Sequence, residues 1–289
     1  MTITILDGGI SRELETIGAP FRQPEWSALA LIETPHLVAE VHELFAKAGA
    51  QVISTNSYAV VPFHIGEERF VAEGTMLAAR AGEMARGVAD RYGIKVAGSL
   101  PPVLGSYRPD LFDAAAARPI LQVLIDGLAP YIDIWLAETQ SALAEAALIV
   151  DALKNDPRPL WLSFTLDDET SALRSGENVI DAARLARDSG AAAILFNCSC
   201  PEAMDSAVRV AAAELAGSGI AIGVYANGFA AAADDDGANE IVHDIRADLT
   251  PALYLGWAQI WVASGATMVG GCCGIGPAHI AALAKALSR

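Results

Sequence analysis

The sequence contains no apolar run long enough to cross a membrane. A transmembrane helix needs about 20 consecutive apolar residues, and the most apolar segment, at residues 141–153, is interrupted by Glu145 and Asp151. The first residues also lack the basic stretch followed by an apolar one that marks a secretory signal peptide, so we expect no leader. Although 53% of the residues are hydrophobic, these absences predict a soluble cytoplasmic protein without a membrane partner.

Basic residues are scarce in this chain. It has 19 lysines and arginines against 35 aspartates and glutamates, which gives a formal net charge of -16. Nucleic-acid binding requires clustered Lys and Arg to neutralise phosphates, so this balance predicts no nucleic-acid partner. The sequence Asp-Gly-Gly-Ile-Ser-Arg at residues 7–12 also lacks the third glycine of the dinucleotide fingerprint.

Histidine and cysteine are rare as well, and only the cysteines are clustered. None of the five histidines has a partner at ligand spacing, so they are predicted to be surface or internally satisfied residues. Cys198 and Cys200 are two residues apart, and Cys272 and Cys273 are adjacent. In a reducing cytosol, clustered cysteines bind metals or react more often than they form disulfides. Pro201 indicates that the preceding strand has ended, which favours Cys200 as a spare thiol over a competing ligand.

Three of the cysteines follow apolar runs that resemble buried strands. Cys272 and Cys273 lie between glycines in the segment at 268–274, and Cys198 follows the apolar run at 192–196. Each could be a small buried hydrophobe. Three thiolates around a tetrahedral zinc ion, with the fourth position open, are instead typical of a catalytic metal site. The grouping favours the metal interpretation.

Strand-like and helical segments alternate along the whole chain. The strands are predicted at residues 2–6, 51–55, 95–100, 132–137, 160–166, 192–196, 220–225 and 267–269, and the helices at 37–48, 70–92, 119–131, 141–154, 179–189, 202–216, 251–264 and 277–287. Such alternation indicates parallel βαβ units. At 289 residues, one (β/α)8 TIM barrel spanning residues 1–289 is the simplest architecture, and an open doubly wound sheet is the alternative.

Chemically active side chains follow the predicted strands. In a TIM barrel the carboxyl ends of all strands form one face, where active sites lie. The sequence therefore predicts a site at that face, built from residues far apart in the chain: Asp7, Thr55, Glu138, Cys198, Cys272 and Cys273.

Two long segments interrupt the alternation. Residues 101–112 are rich in Pro and Gly and longer than an ordinary connection, which predicts a lid or substrate loop. Residues 229–248 contain three consecutive aspartates, which we interpret as a solvated surface run because like charges repel. The helix predicted at 251–264 carries Trp257 and Trp261 on one face, so it either packs on the barrel or forms an interface between copies of the chain.

Six short motifs give the chain a resemblance to the homocysteine S-methyltransferase family. This family includes betaine-dependent and S-methylmethionine-dependent enzymes and the homocysteine domain of cobalamin-dependent methionine synthase. The resemblance covers nearly the whole chain, and the paired cysteines with a distant Asn-Cys are its most specific part. The motifs are Leu-Asp-Gly-Gly at 6–9, Ser-Thr-Asn-Ser-Tyr at 54–58, Gly-Ser-Leu at 98–100, Glu-Thr at 138–139, Asn-Cys at 197–198 and Gly-Gly-Cys-Cys-Gly at 270–274.

The resemblance implies a zinc-dependent methyl transfer to L-homocysteine that yields methionine. Cys198, Cys272 and Cys273 would bind Zn²⁺, and the sulfur of homocysteine would complete the ligand set. Zinc lowers the pKa of a coordinated thiol, so the reaction needs no separate base. Other acceptors, such as another small thiol or a selenol, and a non-catalytic zinc-holding barrel remain alternatives.

The resemblance also implies contacts to the substrate. Glu138 would bind the ammonium of homocysteine, while the Asp7-Gly8 turn and Thr55 would hold its carboxylate and main-chain end. A small sulfonium, S-methylmethionine or S-adenosylmethionine, is the expected methyl donor because 289 residues leave no room for a cobalamin module; betaine is the alternative. A cationic donor suits an aromatic pocket, and the aromatic candidates, which are more often core residues, are Tyr58, Phe63, Tyr107, Trp135 and Trp161.

Overall fold

Eight parallel strands form the centre of the fold. The structure is a computed structural model that describes residues 2–229 and 245–288. The strands are β1 (Thr4–Ile5), β2 (Val52–Ser54), β3 (Lys95–Leu100), β4 (Ile134–Gln140), β5 (Leu160–Phe164), β6 (Ala193–Asn197), β7 (Ala221–Tyr225) and β8 (Met268–Val269). They are hydrogen-bonded in the order β1-β8-β7-β6-β5-β4-β3-β2. Most of the segment predicted at 229–248, including its three aspartates, lies outside the described residues.

The sheet closes on itself between β1 and β2. Leu6 forms a parallel bridge with Val52, and the Asp7 N–H donates to the carbonyl of Val52 at 3.1 Å. The N–H of Gln51 donates to the carbonyl of Ile5 at 2.8 Å. The prediction of a (β/α)8 barrel is therefore confirmed, and the open doubly wound sheet is excluded.

Helices surround the barrel. Those of the described residues are α1 (Ile10–Thr16), α2 (Ser27–Glu33), α3 (Pro35–Ala48), α4 (Pro62–Ile65), α5 (Glu67–Tyr92), α6 (Ala114–Leu128), α7 (Leu143–Ala152), α8 (Val179–Asp188), α9 (Pro201–Glu214), α10 (Pro251–Ser264) and α11 (Pro277–Leu287). Gly49 and Gly93 end α3 and α5 in the left-handed conformation, which glycine adopts without strain. None of the helices described is long and apolar enough to span a bilayer.

The interior of the barrel is filled by side chains that alternate along the strands. On β4, Ile134 and Leu136 belong to the inner apolar cluster, and on β6, Ala193 and Leu195 do. Because the side-chain period of a strand is two residues, Glu138 continues the inward row of β4 and Asn197 that of β6. The apolar side chains fill the barrel below these polar residues, so only the carboxyl end of the barrel has room for a cavity.

The boundaries predicted for β4 were wrong. The strand continues to Gln140, so Glu138 lies within it and not after it. The pairing of β4 with β5 shifts its register between Ala137 and Gln140, which marks a bulge. An irregular strand of this kind redirects side chains near active sites, and its pattern was not visible in the sequence.

The helix predicted to start at Pro119 begins five residues earlier, at Ala114. The carboxylate of Asp113 accepts a hydrogen bond from the N–H of Ala116 at 2.8 Å and caps the helix, so Pro119 lies inside it. The short helices α1, α2 and α4 were not predicted, because segments of four to seven residues are too short to display helical periodicity.

The helix α10 packs tightly on the barrel through its inner face. Trp261 is fully buried, and its Nε1–H donates to the carbonyl of Pro201 at 3.3 Å. The hydroxyl of Tyr254 donates to the carbonyl of Gly270 at 2.7 Å. Trp261 therefore serves barrel packing, whereas an interface between copies of the chain stays a prediction.

Candidate metal and substrate site

A cavity of about 220 Å³ opens at the carboxyl ends of the strands. The residues that the sequence singled out come from β1, β2, β4, β6 and β8 and lie up to 266 positions apart, yet all of them line this cavity. They are Asp7, Gly8, Thr55, Glu138, Cys198, Cys272 and Cys273. The barrel thus brings the whole predicted site together in one place.

Three sulfur atoms form a compact group in the cavity wall. The Sγ atoms of Cys198, Cys272 and Cys273 all lie within 4.8 Å of one another. Sulfurs bound to one tetrahedral zinc ion at about 2.3 Å stand about 3.8 Å apart, so the group fits such an ion. Cys198 and Cys272 are paired as a disulfide, and Cys273 is a free thiol. Zinc binding requires deprotonated thiols, so that pair must be reduced before a metal can bind.

Backbone hydrogen bonds fix the loop that carries the paired cysteines. The N–H of Gly271 donates to the carbonyl of Asp7, and that of Cys272 to the carbonyl of Ala226, each at 2.9 Å. A side chain at position 271 would overlap the side chain of Ile275, so the loop can be this compact only with glycine. The first strand is thereby tied directly to the cysteine loop.

Cys198 reaches the sulfur group through an unusual backbone conformation. It has a φ of 53°, a left-handed value that costs roughly 1 kcal/mol or more in a residue with a side chain. Asn197 faces the barrel axis, so an extended strand would direct Cys198 to the opposite side. The left-handed turn instead directs Cys198 into the cavity, a feature that often accompanies functional sites.

The thiol of Cys273 is held in its neutral form by its surroundings. Burial raises the pKa of Cys273 to about 11, the charge of Glu138 adds to the shift, and Arg12 opposes it. A directly bound cation is the ordinary means of deprotonating such a buried thiol.

Two carboxyl groups face the same space. The Oε2 atom of Glu138 accepts a hydrogen bond from the Ser99 hydroxyl at 2.5 Å, and the carboxylate of Asp7 accepts from the N–H of Ser54 at 2.7 Å. Burial raises the pKa of Asp7 to about 8, with a further contribution from Glu138, and burial also raises the pKa of Glu138. A cation in this cavity would allow both groups to ionise, so the site suits a ligand with an ammonium group.

The hydroxyl of Thr55 takes part in a closed set of hydrogen bonds. It accepts from the N–H of Ser99 at 3.0 Å and lies 2.8 Å from the hydroxyl of Ser57, which itself donates to the carbonyl of Ser99 at 2.8 Å. Since Ser57 uses its own proton on Ser99, the proton of Thr55 goes to Ser57. Thr55 therefore lines the cavity with no hydroxyl proton left to donate.

Asn197 is a buried residue whose role the sequence did not reveal. Its Oδ1 accepts from the N–H of Thr139 at 3.2 Å and from the hydroxyl of Ser163 at 2.7 Å. Its Nδ2 donates to the hydroxyl of Thr139 at 2.7 Å. Thr139 directly follows Glu138 and also has a left-handed backbone, with a φ of 58°. The only signal in the sequence was the Asn-Cys motif itself.

The predicted aromatic residues divide into two groups. Tyr58 and Tyr107 line the cavity. The loops that carry them meet at a hydrogen bond of 2.8 Å between the hydroxyls of Tyr58 and Ser106. Phe63, Trp135 and Trp161 do not line it and pack within the apolar clusters. Trp26 and Phe229 also line the cavity, although no periodic pattern marked either one. The segment 101–112 contributes Tyr107 to the cavity, and its role as a lid or substrate loop stays a prediction.

Cys200 lies in the cavity wall outside the sulfur group. Its backbone N–H donates to Oδ1 of Asp168 at 2.7 Å. Burial raises the pKa of its thiol to about 12, and the charge of Asp168 acts in the same direction. Cys200 thus lies where the segment after β5 approaches the cysteines.

Comparison with known proteins gives one consistent result. The family model described as homocysteine S-methyltransferase matches residues 4–287. A homocysteine S-methyltransferase of Escherichia coli K12 is 31% identical over 97% of this chain and 94% of its own. The homocysteine S-methyltransferase 1 of Zea mays is 28% identical over 98% and 94%, and a selenocysteine methyltransferase of Astragalus bisulcatus is 26% identical over 98% and 92%.

A solved structure agrees with the sequence matches. The metallated form of the homocysteine methyltransferase MmuM from Escherichia coli superposes with a TM-score of 0.81 and 27% identity, covering 99% of this chain and 96% of that one. The match of the family model extends over nearly the whole barrel, cavity included. The chain therefore belongs to the homocysteine S-methyltransferase family, a family of methyltransferases.

Proposed function

We propose that the protein transfers a methyl group from a small sulfonium donor, S-methylmethionine or S-adenosylmethionine, to the thiol of L-homocysteine and thereby forms methionine. The observation that carries this proposal is the group of three sulfurs in one cavity with two carboxyl groups of raised pKa. A non-catalytic metal-holding barrel would need the sulfurs but not the carboxyl groups. The family assignment supports homocysteine as the acceptor.

Cys198, Cys272 and Cys273 would hold a zinc ion. When bound there, zinc would supply the positive charge that lowers the pKa of the acceptor thiol, with the fourth position left for that ligand. Other soft metals also prefer thiolates, and a set of three cysteines with room for a fourth ligand is typical of catalytic zinc. The metallated form of the relative MmuM supports a metal in this protein.

Glu138 would bind the ammonium group of homocysteine. Its carboxylate is positioned by the Ser99 hydroxyl, and the adjacent Asp7 adds a second negative charge when it ionises. The carboxylate of the substrate would be repelled by these side chains, so we place it and the main-chain end at the backbone of the Asp7-Gly8 turn and beside Thr55. Gly8 suits close approach because it presents no side chain.

The methyl transfer is a direct displacement. The bond from the methyl carbon to the donor sulfur breaks as a bond to the acceptor sulfur forms, and the electron pair of the broken bond stays on the donor sulfur. The donor becomes a neutral thioether, and the thiol proton of homocysteine leaves to solvent. Alignment of the two sulfurs with the methyl group can carry a large share of the barrier. Tyr58 and Tyr107 would stabilise the sulfonium through their ring faces.

A selenol acceptor is the second candidate. The observation that favours it is the selenocysteine methyltransferase among the relatives. The same ligand set would activate a selenol, so kcat/KM for homocysteine and for selenocysteine decides between the two acceptors.

The test is methionine formation by the reduced, zinc-loaded protein. Homocysteine is supplied with S-methylmethionine, S-adenosylmethionine or betaine in separate assays, for the wild type, Cys272→Ser and Cys200→Ser. We expect turnover with a sulfonium, loss of zinc and turnover in Cys272→Ser, and retention of both in the matched control Cys200→Ser. Turnover with betaine alone would refute the sulfonium donor. No turnover with any of these donors, despite bound zinc, would refute the proposed function.

A further inference from the structure

The segment after β5 brings a pair of opposite charges to the cavity. Leu166 and Leu173 form an antiparallel bridge, and the backbone N–H of Arg174 donates to the carbonyl of Thr165 at 3.3 Å. This short irregular segment brings Arg174 beside Asp168, and both residues line the cavity. No motif predicted either residue, and the contacts of the acceptor described above do not use them.

The two charges are close but not joined by a hydrogen bond. The nearest nitrogen of Arg174 lies 3.9 Å from the carboxylate of Asp168, which is longer than a hydrogen bond. Asp168 is positioned by the backbone N–H of Cys200 at 2.7 Å, and Arg174 by a contact of 3.4 Å from Nε to the Thr165 hydroxyl. Both groups are thus held in place with hydrogen-bonding capacity directed at the cavity.

Tyr107 links this pair to the sulfur group. The guanidinium of Arg174 lies 4.7 Å from the centroid of the Tyr107 ring. Burial raises the pKa of Tyr107, the charge of Cys273 adds to the shift, and Arg174 opposes it, so the phenol lies within electrostatic reach of both. A molecule lying along the ring would have one end at the sulfurs and the other end at Arg174 and Asp168.

We infer that Arg174 and Asp168 form a subsite for the α-amino-acid end of the methyl donor, with Arg174 contacting its carboxylate and Asp168 its ammonium. This inference rests on the proposed function. Paired opposite charges match a zwitterion, and Arg174 is the only arginine or lysine among the residues described around the cavity. Betaine has a carboxylate but no ammonium with a proton to donate, so the pair favours a sulfonium amino acid.

Depth in the cavity assigns the subsite to the donor and not to the acceptor. Among the acceptor contacts, Asp7 and Thr55 are 5% and 2% exposed and Glu138 is half-buried, whereas the side chains of Arg174 and Asp168 are 24% and 37% exposed. The donor must approach the acceptor sulfur from the open side of the cavity for an in-line displacement. The outer pair can hold the donor while its methyl group points inward.

The test measures binding and turnover separately. Dissociation constants of S-methylmethionine and of homocysteine are measured by calorimetry on reduced, zinc-loaded wild type, Arg174→Gln, Asp168→Asn and Arg118→Gln. Arg118→Gln is the control, because Arg118 forms an exposed ion pair with Asp151 and is not among the residues that line the cavity. We expect each subsite variant to bind S-methylmethionine about tenfold more weakly, the loss of roughly one charge-assisted hydrogen bond. Homocysteine affinity, zinc content and the control should be unchanged.

Three results would overturn the inference. They are unchanged S-methylmethionine affinity in both variants, weakened homocysteine affinity in place of donor affinity, and no binding of S-methylmethionine by the wild type. A wild type that binds S-methylmethionine but forms no methionine refutes the reaction and leaves the subsite to be decided by the binding data. Normal turnover with unaltered donor affinity in the variants refutes the subsite alone.

Discussion

Replacing Asn197 by alanine should weaken the fold and both halves of the site at once. The side chain of Asn197, on β6, is fully buried and connects three strands. It makes two hydrogen bonds with Thr139 on β4 and one with Ser163 on β5. Thr139 follows Glu138, and Cys198 follows Asn197. One amide therefore supports the carboxylate proposed for the ammonium and a cysteine of the sulfur group.

The magnitude follows from the three hydrogen bonds. Each buried hydrogen bond contributes about 1 kcal/mol net, and a buried donor left without a partner costs about 1–3 kcal/mol. The Asn197→Ala variant removes all three bonds and leaves the N–H of Thr139 unpaired in the interior. We expect a loss of about 3–5 kcal/mol in the free energy of unfolding. The Ser163→Ala variant loses one bond, so it should lose only about 1 kcal/mol.

The assay is urea denaturation of the reduced protein, combined with zinc titration and steady-state kinetics. The coupling of Asn197→Ala and Ser163→Ala in a double-mutant cycle should be about 1 kcal/mol, because the two residues share a hydrogen bond. At a temperature where the variant is folded, zinc affinity should fall and the KM for homocysteine should rise together. A stability loss below about 1 kcal/mol, or wild-type values of both site parameters, would refute the reasoning.

The other predictions concern charge, packing and pH. Glu138→Gln should raise the KM for homocysteine about tenfold or more with unchanged zinc content, and an unchanged KM would refute the ammonium assignment. Gly271→Ala should abolish zinc binding, because its side chain overlaps Ile275, whereas Gly256→Ala, which meets open space, should bind zinc normally. Burial lowers the pKa of His42 to about 4, below its value of about 6.5 in the unfolded chain. The unfolded chain therefore takes up the proton first as the pH falls, so stability present above pH 6.5 is lost between about pH 6.5 and 4. At pH 5 the loss is about 2 kcal/mol. Urea denaturation at pH 7.5 and pH 5 should show that the free energy of unfolding of His42→Leu, relative to that of the wild type, increases by this amount at the lower pH. An equal difference between the two proteins at both pH values would contradict the prediction.

The architecture and the sulfur group could be predicted from the sequence because both depend on local patterns. The strands are mostly short apolar runs that are buried on both faces. Such a run can be recognised in the sequence without knowing which strands it pairs with. Cys198 follows β6, Cys272 and Cys273 follow β8, and barrel geometry alone brings the strand ends together. Glu138 was predicted to lie at the carboxyl end of the barrel, where the structure has it, even though its strand was predicted to end too early.

The contacts that depend on irregular backbone could not be predicted. Arg174 and Asp168 come together through a short excursion whose only regular element is one bridge between Leu166 and Leu173. Trp26 reaches the cavity from a segment between two short helices, and it has a left-handed φ of 48°. Neither periodicity nor spacing encodes such positions, since they are set by tertiary contacts that override local preference.

Trp26, Tyr107, Thr139 and Cys198 all line the cavity with a left-handed φ. For Thr139 and Cys198, which lie on β4 and directly after β6, the left-handed conformation has a common physical reason. Alternation along a strand gives the cavity only every second side chain, so a site that uses neighbouring positions must break the extended conformation. The chain does so at Thr139 and at Cys198, and each break costs roughly 1–2 kcal/mol. The three hydrogen bonds of Asn197, at about 1 kcal/mol each, are together of the same size as that cost. Two of them end at Thr139, and Asn197 itself directly precedes Cys198. Asn197 and Cys198 therefore act as a unit. If Asn197 is replaced by another residue, the sulfur of Cys198 should lose its position in the sulfur group.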